Sequence, residues 1–151
     1  MLNRFYNDDI IYTPAVTVFK TDTEQPEIMD ASDWYNVDVI TCAAPNLRVK
    51  NNYNGKSSYN NAKKMTNDEL LKLHEKRLKR ILDTALSEDD ETIILGAFGC
   101  GAFMNDPQIV AQAAKNVIRE YLYSFKNIEF AVYCSPRDDR NYRIFDRVLK
   151  K

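Results

Sequence analysis

Apolar side chains recur along the chain at two spacings, and the switch between them lays out the elements. Ile10-Ile11-Tyr12 and Val16-Thr17-Val18-Phe19 are short β-like runs, and Thr13-Pro14 between them predicts a bend. Met1 to Phe5 reads as a frayed lead-in. Thr21 to Asp33 is polar and contains Pro26, so it reads as a hairpin-type loop. Val37 to Ala43 is the strongest strand pattern of this half and stops at Ala44-Pro45-Asn46. Leu47 to Met65, rich in Asn, Lys, Ser and Tyr, is expected to be a long surface loop. Its Lys50, Lys56, Lys63 and Lys64 are candidates for phosphate contact but read first as a solvated surface.

The period then lengthens. Thr66-Asn67-Asp68-Glu69 is a capping box, and Leu70, Leu73, Leu78, Ile81, Leu82 and Ala85 form one apolar stripe of a helix running to about Ser87. His74 lies on that stripe, which points to packing rather than catalysis. Glu88 to Glu91 is an acidic turn. Thr92-Ile93-Ile94-Leu95 is β-branched and apolar and predicts a buried strand. A second amphipathic helix is expected from Pro107 to about Phe125, facing inward with Ile109, Val110, Ala114, Val117, Ile118 and Leu122. Ile128 to Cys134 predicts a strand. Asp139 to Leu149 predicts a last helix with Tyr142, Phe145, Val148 and Leu149 inward.

The order β, β, β, α, β, α, β, α alternates in its second half, which implies parallel strands with helices packed on them. Ligands of such sheets sit outside the carboxyl ends of the strands. Three connections should therefore converge: Ala44-Pro45-Asn46, the loop after Leu95, and Cys134-Ser135.

That middle loop is the chemically distinctive stretch. Gly96, Gly99 and Gly101 are three of the chain's four glycines, interleaved with Phe98 and Phe103. Glycines permit positive φ and close approach of backbone N–H groups. Asp106-Pro107 then opens a helix whose first turn adds unpaired donors and partial positive charge. Strand, glycine loop and helix together read as an anion site of the kind that holds phosphate or pyrophosphate, with a tight strand-to-helix turn carrying two core phenylalanines as the alternative. Neither the dinucleotide fingerprint nor a Walker lysine is present.

Composition narrows the classes. The 151 residues are long enough for one domain with a real core. A formal net charge of −1 provides no global field for nucleic acid or an anionic membrane. Neither a membrane-spanning run nor a signal-peptide core is present. Three cysteines, Cys42, Cys100 and Cys134, without C-x-x-C spacing suit a reducing cytoplasm. Each falls at the end of an expected strand, where a small residue near a cleft is expected and a metal site is not.

The segments DIIYTPAVTVFKTD, DVITCAAPN, LHEKRLKRIL and above all TIILGAFGCGAFMNDPQIVA resemble the C-terminal part of the bacterial-type poly(ADP-ribose) glycohydrolases, of the macrodomain superfamily. The resemblance covers about Asp8 to Tyr133. It implies a single domain over 1–151: a macrodomain-like three-layer α/β/α sandwich with a mixed, mostly parallel sheet, shortened at the N-terminus. It also implies that Gly99, Cys100, Gly101 and Ala102 offer N–H groups to the diphosphate of ADP-ribose. By the same resemblance Phe103 lies against the terminal ribose, Asn46 and Phe98 line the cleft, and Asn105 or Asp106 shapes the loop's exit. No cofactor is implied.

One departure matters. The family's catalytic segment is a glycine run followed by Gln-Glu-Glu, and these 151 residues contain neither. Cleaving a ribosyl C–O bond requires a carboxylic acid to protonate the leaving oxygen. Asp8, Asp9 and Glu24 have no spacing that marks them as substitutes. Three readings follow: a module that binds ADP-ribose or a related NAD-derived nucleotide without hydrolysis; a glycohydrolase completed by a partner chain or a substitute carboxylate; and an interaction protein with a vestigial pocket. A sheet edge or apolar face left uncovered predicts a homodimer or a partner chain.

Overall fold

The computed structural model describes residues 7–48 and 65–150. The lead-in and most of the lysine-bearing loop, including Lys50, Lys56, Lys63 and Lys64, lie outside the described residues.

Strand β1 (Ile10–Val18) pairs antiparallel with β2 (Tyr35–Cys42). The two β-like runs before Asp22 are one strand, not two. Its bend is a register shift between Thr13 and Val16, where Ala15 adopts φ 54° and its N–H donates to Asp38 Oδ1 at 2.7 Å. Proline cannot donate to the ladder, and the bulge absorbs Pro14 without ending the pairing. The polar stretch 21–33 closes as a hairpin, with Met29 N–H donating to Phe19 O, and includes a short 3-10 helix, Ala31–Asp33.

Helix α1 (Asn67–Ser87) starts as its capping box predicts: Glu69 N–H donates to Thr66 Oγ1 at 3.2 Å, and Thr66 N–H to Glu69 Oε2 at 2.8 Å. Strand β3 (Thr92–Leu95) pairs in parallel with β4 (Asn127–Phe130). Only one face of β3 is buried, because Ile93 and Leu95 point to the helices while Ile94 is 66% exposed. Strand β4 ends at Phe130, earlier than its apolar alternation suggests. Its partner runs out: Ala131 N–H still reaches Leu95 O, but β3 turns away at Gly96.

Helix α2 is Pro107–Ile118 and α3 is Arg140–Leu149. α2 stops well short of Phe125. Beyond it Tyr121 and Phe125 bury against Ile81, Leu82 and Ala85 of α1, with the Tyr121 hydroxyl donating to Asp83 at 2.5 Å, and Leu122 faces solvent. Tyr142 is also outward, leaving Phe145 and Val148 as the buried side of α3. α1 packs on α2 and α2 on α3. This layer covers the face of the strands formed by Ile40, Cys42, Ile93, Leu95, Ile128 and Phe130. On the described residues the opposite face carries Ile11, Tyr35, Val37, Val39 and Ile94 toward solvent.

Among the described residues the strands form two two-stranded sheets, β1-β2 and β3-β4. Between them lies a cavity of about 790 Å³.

Candidate functional site

The glycine loop is folded by its own backbone. Phe98 N–H donates to Gly96 O, Cys100 N–H to Ala97 O and Met104 N–H to Gly101 O, all within 2.9–3.0 Å. Gly99 has φ +77°, and a Cβ there would lie 2.5 Å from Asn105 Nδ2 and 2.6 Å from Ala44 Cβ. Gly101 differs: a Cβ there would have nothing within 4 Å, so its side faces open space. The N–H groups of Gly99, Gly101 and Ala102 take part in none of the hydrogen bonds among the described residues, whereas that of Cys100 is used inside the loop.

Asn105 holds this loop against the end of β2. Its Nδ2 donates to Pro45 O at 2.7 Å and to Gly99 O at 3.0 Å, and its Oδ1 lies 3.0 Å from His74 Nε2. With both amide hydrogens committed, Oδ1 accepts, which makes Nε2 of His74 the protonated nitrogen. Leu47 N–H donates to Phe103 O at 2.9 Å, completing the tie between the two loops. Asn105 is buried, so its part is to shape the loop rather than to face open solvent.

The remaining site residues divide by exposure. Phe98 meets the His74 ring edge-on at 5.8 Å and packs toward the α2–α3 cluster. Asn46 Oδ1 accepts from Arg48 N–H at 3.1 Å, and Asp106 caps α2 by accepting from Gln108 N–H at 2.9 Å. Arg48 was not singled out by sequence pattern. Its Nε donates to Ala102 O at 3.2 Å, placing a cation on the rim of the glycine loop. Beside Gly101 a second recess of about 410 Å³ is lined by Ala97, Ala131, Val132, Tyr133, Asp138 and Asn141. The expected convergence of strand ends was the legible signal for this recess, but Asp138 and Asn141 lie in turn and helix beyond it.

The ionisable groups near the loop are structural. Burial pushes His74 down, and Arg77 lowers it further against the hydrogen bond to Asn105, so the ring is neutral. Burial, then the charge of Asp106, pushes the Cys100 thiol up to about 12; burial also raises Cys42. Thiols held protonated are poor nucleophiles and poor metal ligands. Cys134 is exposed, and no group of three or more metal-binding side chains occurs among the described residues. Asp8, one of the early carboxylates, is engaged by Lys76 and by Arg77 Nε at 3.0 Å, and these contacts hold it below the usual carboxylate range. Arg77 is 1% exposed and also donates to Ala43 O at 2.8 Å.

No protein-family model and no curated protein matches the chain. Solved structures do. The poly(ADP-ribose) glycohydrolase of Deinococcus radiodurans in complex with ADP-ribose superposes with a TM-score of 0.79 at 27% identity, over 98% of this chain and 55% of that one. Its apo form gives 0.79 at 28% identity over 98% and 56%. The Thermomonospora curvata enzyme gives 0.75 at 26% over 97% and 49%. The chain carries the fold of the bacterial poly(ADP-ribose) glycohydrolases. It spans about half the length of these relatives, consistent with the C-terminal part that its motifs resemble. The parallel β3-β4 pair, the antiparallel β1-β2 pair and the packed helices of the described residues match this glycohydrolase-type, macrodomain-like α/β fold. No helix of the described residues is long and apolar enough to cross a membrane.

Proposed function

We propose that this chain binds ADP-ribose, or a closely related NAD-derived nucleotide, with the diphosphate seated on residues 99–103 and without hydrolysing it. The observation that carries this reading is the asymmetry of the glycines. Gly99 is required by the packing of the loop, whereas Gly101 opens onto empty space beside unused N–H groups, the start of α2 and Arg48. Donors, a helix N-terminus and a cation around one open surface suit a diphosphate. The recess beside Gly101, about 410 Å³, is of the size that takes a nucleoside. The Deinococcus structure was solved with ADP-ribose, which supports the same ligand class.

The absence of hydrolysis rests on chemistry. The 151 residues lack the Gln-Glu-Glu signature, Asp8 is clamped by Arg77 and Lys76, and Asp106 is spent as a helix cap. The likeness to glycohydrolases supports a second reading, an ADP-ribosyl hydrolase completed by a partner chain. Incubation with poly(ADP-ribose) separates the two: the binding module releases no ADP-ribose, and release by the chain alone would overturn it. If ADP-ribose leaves the melting temperature unchanged, the pocket is vestigial.

A further inference from the structure

Two residues of the glycine loop hold a left-handed backbone. One is Gly99, at φ +77°, where glycine is the natural choice; the other is Met104, at φ 60°. The bend at 104 is a demand of the fold. Met104 N–H donates to Gly101 O, and the next N–H, of Asn105, turns back to Gly99 O at 3.1 Å. Glycine or asparagine meets that demand with little strain, whereas a long side chain at positive φ costs stability. The other side-chain-bearing residues with positive φ, Ala15 and Asp89, are accounted for within the fold. Ala15 N–H donates to Asp38 Oδ1 at 2.7 Å in the β1 bulge. Asp89, a residue type that tolerates the conformation, follows the end of α1 with its N–H on Leu86 O at 3.2 Å.

Met104 recovers nothing for this within the fold. It is 67% exposed and belongs to neither apolar cluster of the described residues. Strain and an exposed apolar side chain thus coincide at one position of the candidate site, and strained residues cluster where a ligand makes use of them. The position also says which part of a ligand Met104 meets. The bond from Met104 N–H to Gly101 O closes a four-residue turn, which brings the two Cα atoms within about 7 Å. Gly101 lines the recess with Tyr133, Asp138 and Asn141, and Met104 does not. Met104 therefore stands past Gly101 and Ala102, next to the turn carbonyls that Leu47 N–H and Arg48 Nε hold. A ligand with its nucleoside in the recess and its diphosphate on residues 99–103 brings to Met104 the group that follows the diphosphate.

We propose that Met104 is a specificity-determining residue of this site, whose thioether covers an uncharged, sugar-type group beyond the diphosphate and so selects a diphosphate ester over a nucleotide ending in a free phosphate. The chemistry of the side chain supports both halves. A thioether is flexible and polarisable and packs on the carbon face of a sugar ring. It has no charge and only a weak acceptor, so a free terminal phosphate covered by it loses water and gains no counter-charge. Arg48 provides one cation on the rim of the loop, and the methionine adds none. The inference rests on the ligand reading above and adds to it the residue that discriminates among diphosphates.

The test titrates ADP-ribose and ADP into the 151-residue chain and into Met104→Gly, Met104→Leu and Met104→Lys, with melting temperatures alongside. The wild type should bind ADP-ribose more tightly than ADP. Met104→Gly should melt roughly 2–4 °C higher, as the strain is relieved. It should nevertheless bind ADP-ribose about fivefold more weakly and ADP as the wild type does. Met104→Leu, apolar and of similar size, should keep both affinities, and Met104→Lys should shift the preference toward ADP. The proposal is overturned if Met104→Gly weakens both ligands equally or neither. A lower melting temperature for Met104→Gly also overturns it, since the fold itself would then be what holds the methionine. Should Met104→Gly not fold, Met104→Lys decides by itself: an unchanged preference sinks the proposal. A wild type that binds neither ligand overturns the ligand reading and this inference with it, whereas binding without discrimination overturns this inference alone.

Discussion

At the residue scale Gly99 and Gly101 should behave oppositely. Gly99→Ala forces a side chain at φ +77° into Asn105 and Ala44, and is expected to lower stability sharply. A Cβ at Gly101 has nothing within 4 Å, so the melting temperature of Gly101→Val should stay near wild type while ADP-ribose binding is lost. Asn105 links the end of β2, the glycine loop and α1. Asn105→Ala leaves Pro45 O, Gly99 O and His74 Nε2 without that partner, a loss of about 3 kcal/mol. Thermal melting reads that as roughly 6–12 °C for a chain of this size. His74 supplies a pH dependence. Its folded pKa lies below the unfolded value near 6.5, so the unfolded state takes up the proton first. Its stabilisation is therefore full above about pH 6.5 and declines as pH falls from there. Melting temperatures between pH 7 and 5 should fall in the wild type, and His74→Gln should flatten that slope.

At the element scale, the sequence was most readable where local chemistry decides. The Thr66–Glu69 box, the Asp106-Pro107 start of α2 and the strand-loop-helix around the glycines all form as their residue types require. Thr66→Ala is accordingly expected to cost about 1 kcal/mol, measurable by urea unfolding with an unchanged slope. Tertiary partners decided the rest. The end of α2 depends on Tyr121 reaching Asp83, and the end of β4 on the length of β3; neither partner is visible in a local window. Pro14 looked like a break because the Ala15–Asp38 bond that stabilises the bulge spans 23 residues of sequence. In the candidate site, the strand, glycine loop and helix start were legible, and Asn46 and Asn105 were legible as neighbours of the loop. The burial of Asn105 and the placement of Arg48 on the rim were not, since both come from loops meeting across the fold.

At the scale of the whole molecule, the described chain is a helical layer on an interrupted sheet, clamped at one corner by charge. Arg77 is buried between Asp8 and the Ala43 carbonyl, joining the chain before β1 to the end of β2. Asp8→Ala is expected to cost about 2 kcal/mol, discounted for the partial exposure of Asp8. The Asp8 folded pKa lies below 3.8, so its contribution is present above that value and lost as pH falls through the lowered one. Acid unfolding of the variant should show a shallower final leg. The interrupted sheet leaves the glycine loop in place, because Asn105, Leu47 and Arg48 tie it directly to the end of β2. The ligand claim therefore applies to this chain as it stands. Isothermal titration of ADP-ribose into the wild type and into Gly101→Val, with AMP as comparison, tests it most directly. The account predicts micromolar binding to the wild type, weaker binding of AMP, and no heat from a folded Gly101→Val. Equal binding by the variant, or no binding by the wild type, would contradict it.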